Sequence, residues 1–203
     1  MTQTRWPATE RYGLDPAPGA LALVQDFLNT IATGRQSADL LADLSSAQTW
    51  VEAVAESWSR TTGAPKLRIS LDEASRGRLH EHRRLLQNAA AATPPESGNA
   101  LVAPVITAEI SLDMHGDGLV LARPGGSGAQ PIISALLITV WQAQLDETWH
   151  RLKTCRNMDC LIAFYDRSRN NSGAWHDVKT CGNAANLRAF RARKRAANGI
   201  SPS

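Results

Sequence analysis

The sequence predicts an α+β fold, mainly helical: an N-terminal helical domain with one β-hairpin, followed by a small C-terminal module stapled by a metal. Three observations carry this reading. Apolar residues recur at three- and four-residue steps in four segments of the body, the mark of helix faces. Residues 106–114 instead alternate apolar and polar, the mark of a strand with one wet face. All three cysteines fall between residues 155 and 181.

Of the 203 residues, 43% are hydrophobic and 20% charged, which is ordinary for a globular protein. A body of about 150 residues can bury a core unaided, whereas a terminal piece of about 45 residues needs a staple. No apolar run approaches the roughly 18 residues of a membrane span. The start of the chain has no apolar core of the signal-peptide kind. An odd count of three cysteines does not suit a secreted disulfide framework. The expected location is therefore the cytoplasm.

Residues 1–18, with Pro7, Gly13, Pro16 and Pro18, read as an extended arm. Residues 19–33 read as a helix whose buried face is Leu21, Val24, Phe27, Leu28 and Ile31, with Gly34 as its stop. After a turn at 39–44, Ser45 or Ser46 caps a helix over 47–59 that points Trp50, Val51, Val54 and Trp58 inward. A further helix is expected over 72–92. Ser70 and Glu73 form its capping box, Leu79, Leu85 and Leu86 its buried face, and Thr93-Pro94-Pro95 its end. His80 and His82 are two residues apart, on different sides of that helix, and read as structural or surface groups.

Ile106, Ala108, Ile110, Leu112 and Met114 form the apolar face of the strand. Asp117-Gly118 is the hairpin turn, and 119–122 the returning strand, packed on helices because a lone hairpin is marginal. Gly125–Gly128 lacks the spacing of a phosphate loop and reads as a turn. A long helix over 130–153 follows, with Trp141, Leu145, Trp149 and Leu152 on one core face.

Cys155 and Cys160 are separated by four residues, as are His176 and Cys181, with fifteen residues between the pairs. Two close pairs of soft donors joined by a loop suit one tetrahedral zinc with no position left for water, a structural rather than catalytic site. Buried thiols, a redox disulfide between Cys155 and Cys160, and a cysteine nucleophile served by His176 are the readings that spacing leaves open. Leu161, Ile162, Phe164, Tyr165 and Trp175 supply a small hydrophobic pack, and Asn183 or Asn186 caps a last helix with Leu187 and Phe190 inside.

Residues 151–195 hold eleven Lys or Arg against three Asp, net +8, while the rest of the chain is net −5. An acidic body with a basic tail points to a polyanion partner. The candidate nucleic-acid contacts are Arg167 and Arg169 in the loop and Arg188, Arg191, Arg193, Lys194 and Arg195 on the last helix. A solvated helix, or one docked on an acidic protein, is the alternative.

Cys155-x4-Cys160, the run Phe164–Asn170 (FYDRSRN), Trp175, Cys181-Gly182-Asn183 and the arginine-rich helix resemble the CGNR zinc-finger family. Leu21–Thr30 and Asp39–Val54 resemble its companion ABATE domain, here residues 19–150. The resemblance implies a bacterial, stress-induced transcription regulator that binds DNA through a structural zinc finger, not an enzyme. The N-terminal domain would bind a small molecule or pair with a second copy. His176 stands where the family carries Cys, making the ligand set three cysteines and one histidine. Ala184 stands at the motif's Arg, and Gly173-Ala174 replace a second Arg, which removes part of the phosphate grip. An RNA binder or a zinc-dependent protein-interaction adaptor is the alternative, and an enzyme using Cys and His ranks last.

Overall fold

The polar residues of one helix organise the molecule. In this computed structural model residues 4–197 are described, except 35, 37, 92–105 and 158; for 185, 189, 192, 193 and 195–197 the backbone alone is described. Six α-helices lie among them: α1 (Pro7–Glu10), α2 (Leu21–Leu28), α3 (Leu44–Thr62), α4 (Glu73–Ala91), α5 (Gln130–Leu145) and α6 (Asn183–Ala197). Two antiparallel hairpins accompany them, β1 (Ile110–Met114) with β2 (Val120–Pro124), and β3 (Leu152–Thr154) with β4 (Ala163–Tyr165). The fold is thus α+β and mainly helical, as expected. No helix among the described residues is long and apolar enough to cross a membrane.

Helix α2 is buried along its whole length, Gln25 and Asp26 included. Its sequence LALVQDFL is apolar nearly all round, the composition of a helix surrounded by protein. It packs against α1, α4, α5 and β4. The helix is shorter than the predicted 19–33 because the C-cap falls at Asn29, five residues before Gly34.

Each buried polar group of α2 finds a partner, as burial demands. Gln25 accepts from the Ala17 amide at 2.5 Å. Asp26 accepts from the Thr9 amide at 2.7 Å and from the Trp50 indole at 2.8 Å. Asn29 Oδ1 accepts from the Ala163 amide at 2.8 Å, and its Nδ2 donates to the Ala163 carbonyl at 2.9 Å. These bonds explain why residues 5–17 are not an extended arm: Trp6 and Ala8 are buried, and α1 seats Thr9 on Asp26.

Burial pushes the Asp26 carboxyl up to about 7, against the lowering effect of the Trp50 and Thr9 hydrogen bonds. An unfolded Asp titrates near 3.9, so the folded state holds this proton more tightly. The stabilisation is complete below about pH 4 and is lost as pH rises to about 7, a fall on the order of 4 kcal/mol. Asp26→Asn removes the titration at the fixed cost of one acceptor. Urea unfolding of both proteins should therefore show the gap between wild type and variant narrowing from pH 5 to pH 8. A gap independent of pH would refute the buried titration.

α3 is capped by Asp43, whose carboxylate accepts from the Ser46 amide at 2.8 Å, rather than by Ser45 or Ser46. It ends at Gly63, where φ is 73°. Trp50, Val51, Val54 and Trp58 are buried as expected. α4 is started by Asp72 accepting from the Ser75 amide at 2.7 Å, not by a Ser70–Glu73 box. Its inner face is Leu79 and Leu86 with Arg83 between them, while Leu85 is half-buried. Arg83 makes a bidentate pair with Asp39 at 2.8 and 2.6 Å and also donates to Thr30 at 2.8 Å. His80 and His82 meet the Leu41 and Arg78 carbonyls, in keeping with structural roles. The expected stop at Thr93-Pro94-Pro95 lies outside the described residues.

Hairpin β1–β2 turns at Asp117-Gly118 as predicted, with register Leu112↔Ala122 and Met114↔Val120. Only the base of the hairpin packs on a helix, where β2 meets α5; the rest of its apolar face is open. Ile110, Leu112, Met114 and Val120 are 46%, 67%, 77% and 52% exposed. The hairpin is tied on at its base, through buried Pro124 and a bond from the Glu109 amide to Ser134. α5 also departs from expectation. It ends at Leu145, and Glu147 adopts a left-handed φ of 54°. A 3₁₀ turn (Trp149–Arg151) then leads into β3, so Trp141 and Leu145 are exposed while Leu152 joins the core.

Candidate metal centre and its basic helix

β3 and β4 pair with register Leu152↔Tyr165 and Thr154↔Ala163, and the cysteines begin where the pairing ends. The Cys155 amide donates to the Ile162 carbonyl at 2.9 Å. Between them the chain folds back through a Cys160 amide to Asn157 carbonyl bond of 2.8 Å, and Leu161 takes a φ of 58°. Cys155 and Cys160 thereby face one another across a tight knuckle. On the other side, Asp177 starts a π-helical turn (Val178–Gly182), accepting from the Lys179 amide at 2.7 Å; this, not Asn183 or Asn186, is the cap. The turn carries Cys181 back beside His176.

The ligand atoms of Cys155, Cys160, His176 and Cys181 all lie within 4.8 Å of one another. A tetrahedron of Zn–S bonds near 2.3 Å has edges of roughly 3.8 Å, so one ion fits among them. The three cysteines are buried and unpaired, and Cys160 Sγ is 3.3 Å from His176 Nδ1. Asn157 Nδ2 donates to Cys181 Sγ at 3.5 Å. A hydrogen bond from the Cys160 thiol, helped by His176, pulls the Cys155 thiol below the ordinary thiol range. The same bond and burial push Cys160 up. Three close sulfurs can all ionise only around a cation, which makes metal binding and the local fold one event. The four groups close a structural site for one zinc.

Its packing reaches into the N-terminal chain. The cysteine cluster is lined by Ile162, Trp175, Tyr12 and Leu14. Leu152 and Ala163 belong instead to the main core, with Tyr165 against it, and Leu161 is 45% exposed. Gly182 lies against Trp175: a Cβ there would sit 3.2 Å from the indole.

Some supporting residues escaped the sequence reading. Asp166 is 4% exposed and accepts from Lys153 Nζ at 2.7 Å and from the Ser168 and Gly173 amides at 2.9 and 2.6 Å. Burial alone would raise its carboxyl, but Lys153 and these donors hold it well below the usual carboxylate range. A Cβ at Gly173 would lie 2.8 Å from that carboxylate, so a larger residue there would have to displace the Asp166 side chain. Asn157 and Asn29 complete the set. The local signal was an Asp and a Gly seven residues apart flanking a polar turn.

Of the candidate nucleic-acid contacts, Arg167 is tethered, donating to the Pro16 carbonyl at 2.7 Å with its guanidinium 5.5 Å from the Tyr165 ring. Arg188 donates to Asn157 at 2.7 Å yet stays exposed, and Arg169, Arg191 and Lys194 are exposed. The side chains of Arg193 and Arg195 lie outside the described residues. Leu187 and Phe190 are not inside: they are 48% and 57% exposed.

No curated protein matches the chain, and no ABATE domain is detected in its N-terminal part. Residues 151–194 match the family model described as the CGNR zinc finger, so the chain carries a zinc finger of that family with Cys155, Cys160, His176 and Cys181 around one structural zinc.

Proposed function

We propose that the protein is a DNA-binding transcription regulator whose zinc finger holds α6 out toward DNA, while the N-terminal body senses a ligand or pairs with a second copy. One observation carries the reading: α6 starts two residues after the last zinc ligand and presents Arg188, Arg191 and Lys194 to solvent. Zinc fixes the root of the helix, and the arginines meet phosphates or base edges. The body, net −5, is repelled by the same phosphates and leaves contact to the tail. No catalytic role is assigned to the cysteines and His176, because a closed zinc site uses all four donors.

The exposed Leu187, Phe190 and Val178 favour a second reading, an adaptor that docks an acidic protein partner. Selection from a random DNA pool, with an RNA pool in parallel, separates the two. A regulator should enrich a DNA sequence, with affinity falling steeply with salt and the log–log slope dropping by about 1 in Arg191→Ala. If neither pool is retained at about 50 mM salt, the regulator reading is wrong and the adaptor stands.

A further inference from the structure

Among the described residues the sheet of β1 has two strands, so the far edge of β1 meets no other strand. The Glu109 carbonyl accepts from the Gly125 amide at 2.7 Å, and the His115 amide donates to the Leu119 carbonyl at 2.8 Å. In an antiparallel ladder every second residue makes the bonds. The odd-numbered residues of β1 therefore bond to β2, and the N–H and C=O groups of Ile110, Leu112 and Met114 point away from it. Pro124, which has no N–H to give, lies opposite Ile110, in step with this alternation. Open edges are commonly guarded by lysine, proline or a bulge. β1, ISLDM, has none of these, and its one charge, Asp113, is taken up by Arg123.

The strand is complementary to itself. Two copies laid antiparallel with Leu112 on a two-fold axis put Ile110 opposite the partner's Met114 and Ser111 opposite the partner's Asp113. The outward backbone groups of residues 110, 112 and 114 then meet in one ladder. Apolar side chains share one face, and on the other the Ser111 hydroxyl donates to Asp113. The next pair out sets Glu109 against His115. A slip of two residues either way sets Asp113 against Asp113 or against Glu109, like charges that destabilise a pair.

The apolar area also suits a second copy. Gln130 donates to the Thr107 carbonyl and Ser134 accepts from the Glu109 amide, both at 3.0 Å, so this side of α5 carries the approach to β1. At about 100° per residue, Trp141 and Leu145 lie on the same side further along the helix. With Ile110, Leu112, Met114 and Val120 they expose on the order of 700 Å². That exceeds the roughly 300–600 Å² patch of a typical monomer and approaches the ~800 Å² each partner gives a standard interface. We propose that two copies of this chain pair through β1, edge to edge about an axis at Leu112, into one four-stranded sheet. The pairing carries the open tip of one hairpin to the base of the other, where β2 meets α5. It gives the pairing proposed for the body its surface and rests on that reading, but not on DNA binding.

Sedimentation of the zinc-loaded full chain without nucleic acid tests the surface. A dimer is expected at about 50 μM. Leu112 is exposed, so Leu112→Lys and Leu112→Glu should each keep the wild-type circular dichroism. Each should weaken pairing roughly tenfold or more, because like charges meet on the axis. An equal mixture of the two sets Lys against Glu and should associate roughly tenfold more tightly than either alone. In the wild type the Leu112 amide should exchange slowly in the dimer and fast on dilution, a readout that needs no variant. Exchange at Leu112 that does not depend on concentration overturns the proposal. A dimer that neither variant weakens, or a mixture no tighter than its parts, overturns this surface alone, because the copies then pair elsewhere. A wild type still monomeric at about 500 μM overturns the surface and the pairing reading together, and leaves DNA binding standing.

Discussion

Stripping zinc with a strong chelator, or replacing Cys181 with Ser, should unravel the outer half of the finger and leave the body folded. Structural zinc in finger peptides is worth about 10–16 kcal/mol of apparent binding energy, and that energy is folding energy. Ile162, Trp175 and the cysteines are too small a pack to hold the knuckle and the π-turn without it. α6 is rooted in that π-turn, so its fifteen residues lose their anchor. β3 and β4 should survive, because Leu152 and Ala163 lie in the main core and Asn29 holds the strand. Amide hydrogen exchange with and without zinc checks this. Protection should vanish across residues 155–160 and 176–197 and persist at Ala163 and throughout α2. Unchanged protection around Cys181 in metal-free protein would contradict a zinc-dependent fold.

The second large effect is expected at the pair of Asp39 and Arg83. Arg83 is 7% exposed, and Asp39 supplies both acceptors of its fork. Asp39→Ala strands a guanidinium in the core with Thr30 and the His80 ring as its remaining partners at that end. Breaking a buried pair from one side costs 3–5 kcal/mol. Because the Asp39 side chain keeps 25% exposure, a value of about 3 kcal/mol is expected. Burial works to raise the Asp39 carboxyl, but the Arg83 hydrogen bonds outweigh it and the net shift is down. The pair thus stabilises above the ordinary carboxylate range and weakens as pH falls through the lowered value. Replacing both partners, Asp39→Leu with Arg83→Met, should recover most of the loss. Denaturant midpoints for the wild type and the two variants decide it: a double variant as unstable as Asp39→Ala would show that packing, not charge, is at stake.

The parts of the molecule that were legible in the sequence are those written locally. Chelating spacing is local, so Cys155, Cys160, His176 and Cys181 could be named together. Helix periodicity is local too, and it marked Trp50, Val54 and Trp58 on α3. Alternation identified β1, but it separates two faces without saying which is covered, and the apolar face of Leu112 and Met114 turned out to be the open one. The end of α5 was hidden because Leu145–Leu152 keeps helical spacing, while the left-handed Glu147 has no glycine to announce it. β3 and β4 are three residues each, too short for a period. Arg83 reads as one charge in a polar run until Asp39, 44 residues away, is brought beside it. Capping by Asp43, Asp72 and Asp177 rather than by nearby Ser or Asn reflects the stronger hydrogen bond a carboxylate accepts.

The clamp of Asn29 on Ala163 bears on heredity as much as on shape. Many fingers are strung along a chain like beads, and recombination can cut between them. Here the cut would fall through Asn29–Ala163 and through the contacts of Tyr12 and Leu14 with the cysteine cluster. A finger moved onto another protein would arrive without its floor, and a body left behind would keep a buried amide side chain stripped of its strand partner, with only the Thr9 hydroxyl beside it. The two halves are therefore expected to be inherited together, and sequence drift at position 29 to be tied to the backbone of a strand more than 130 residues further on.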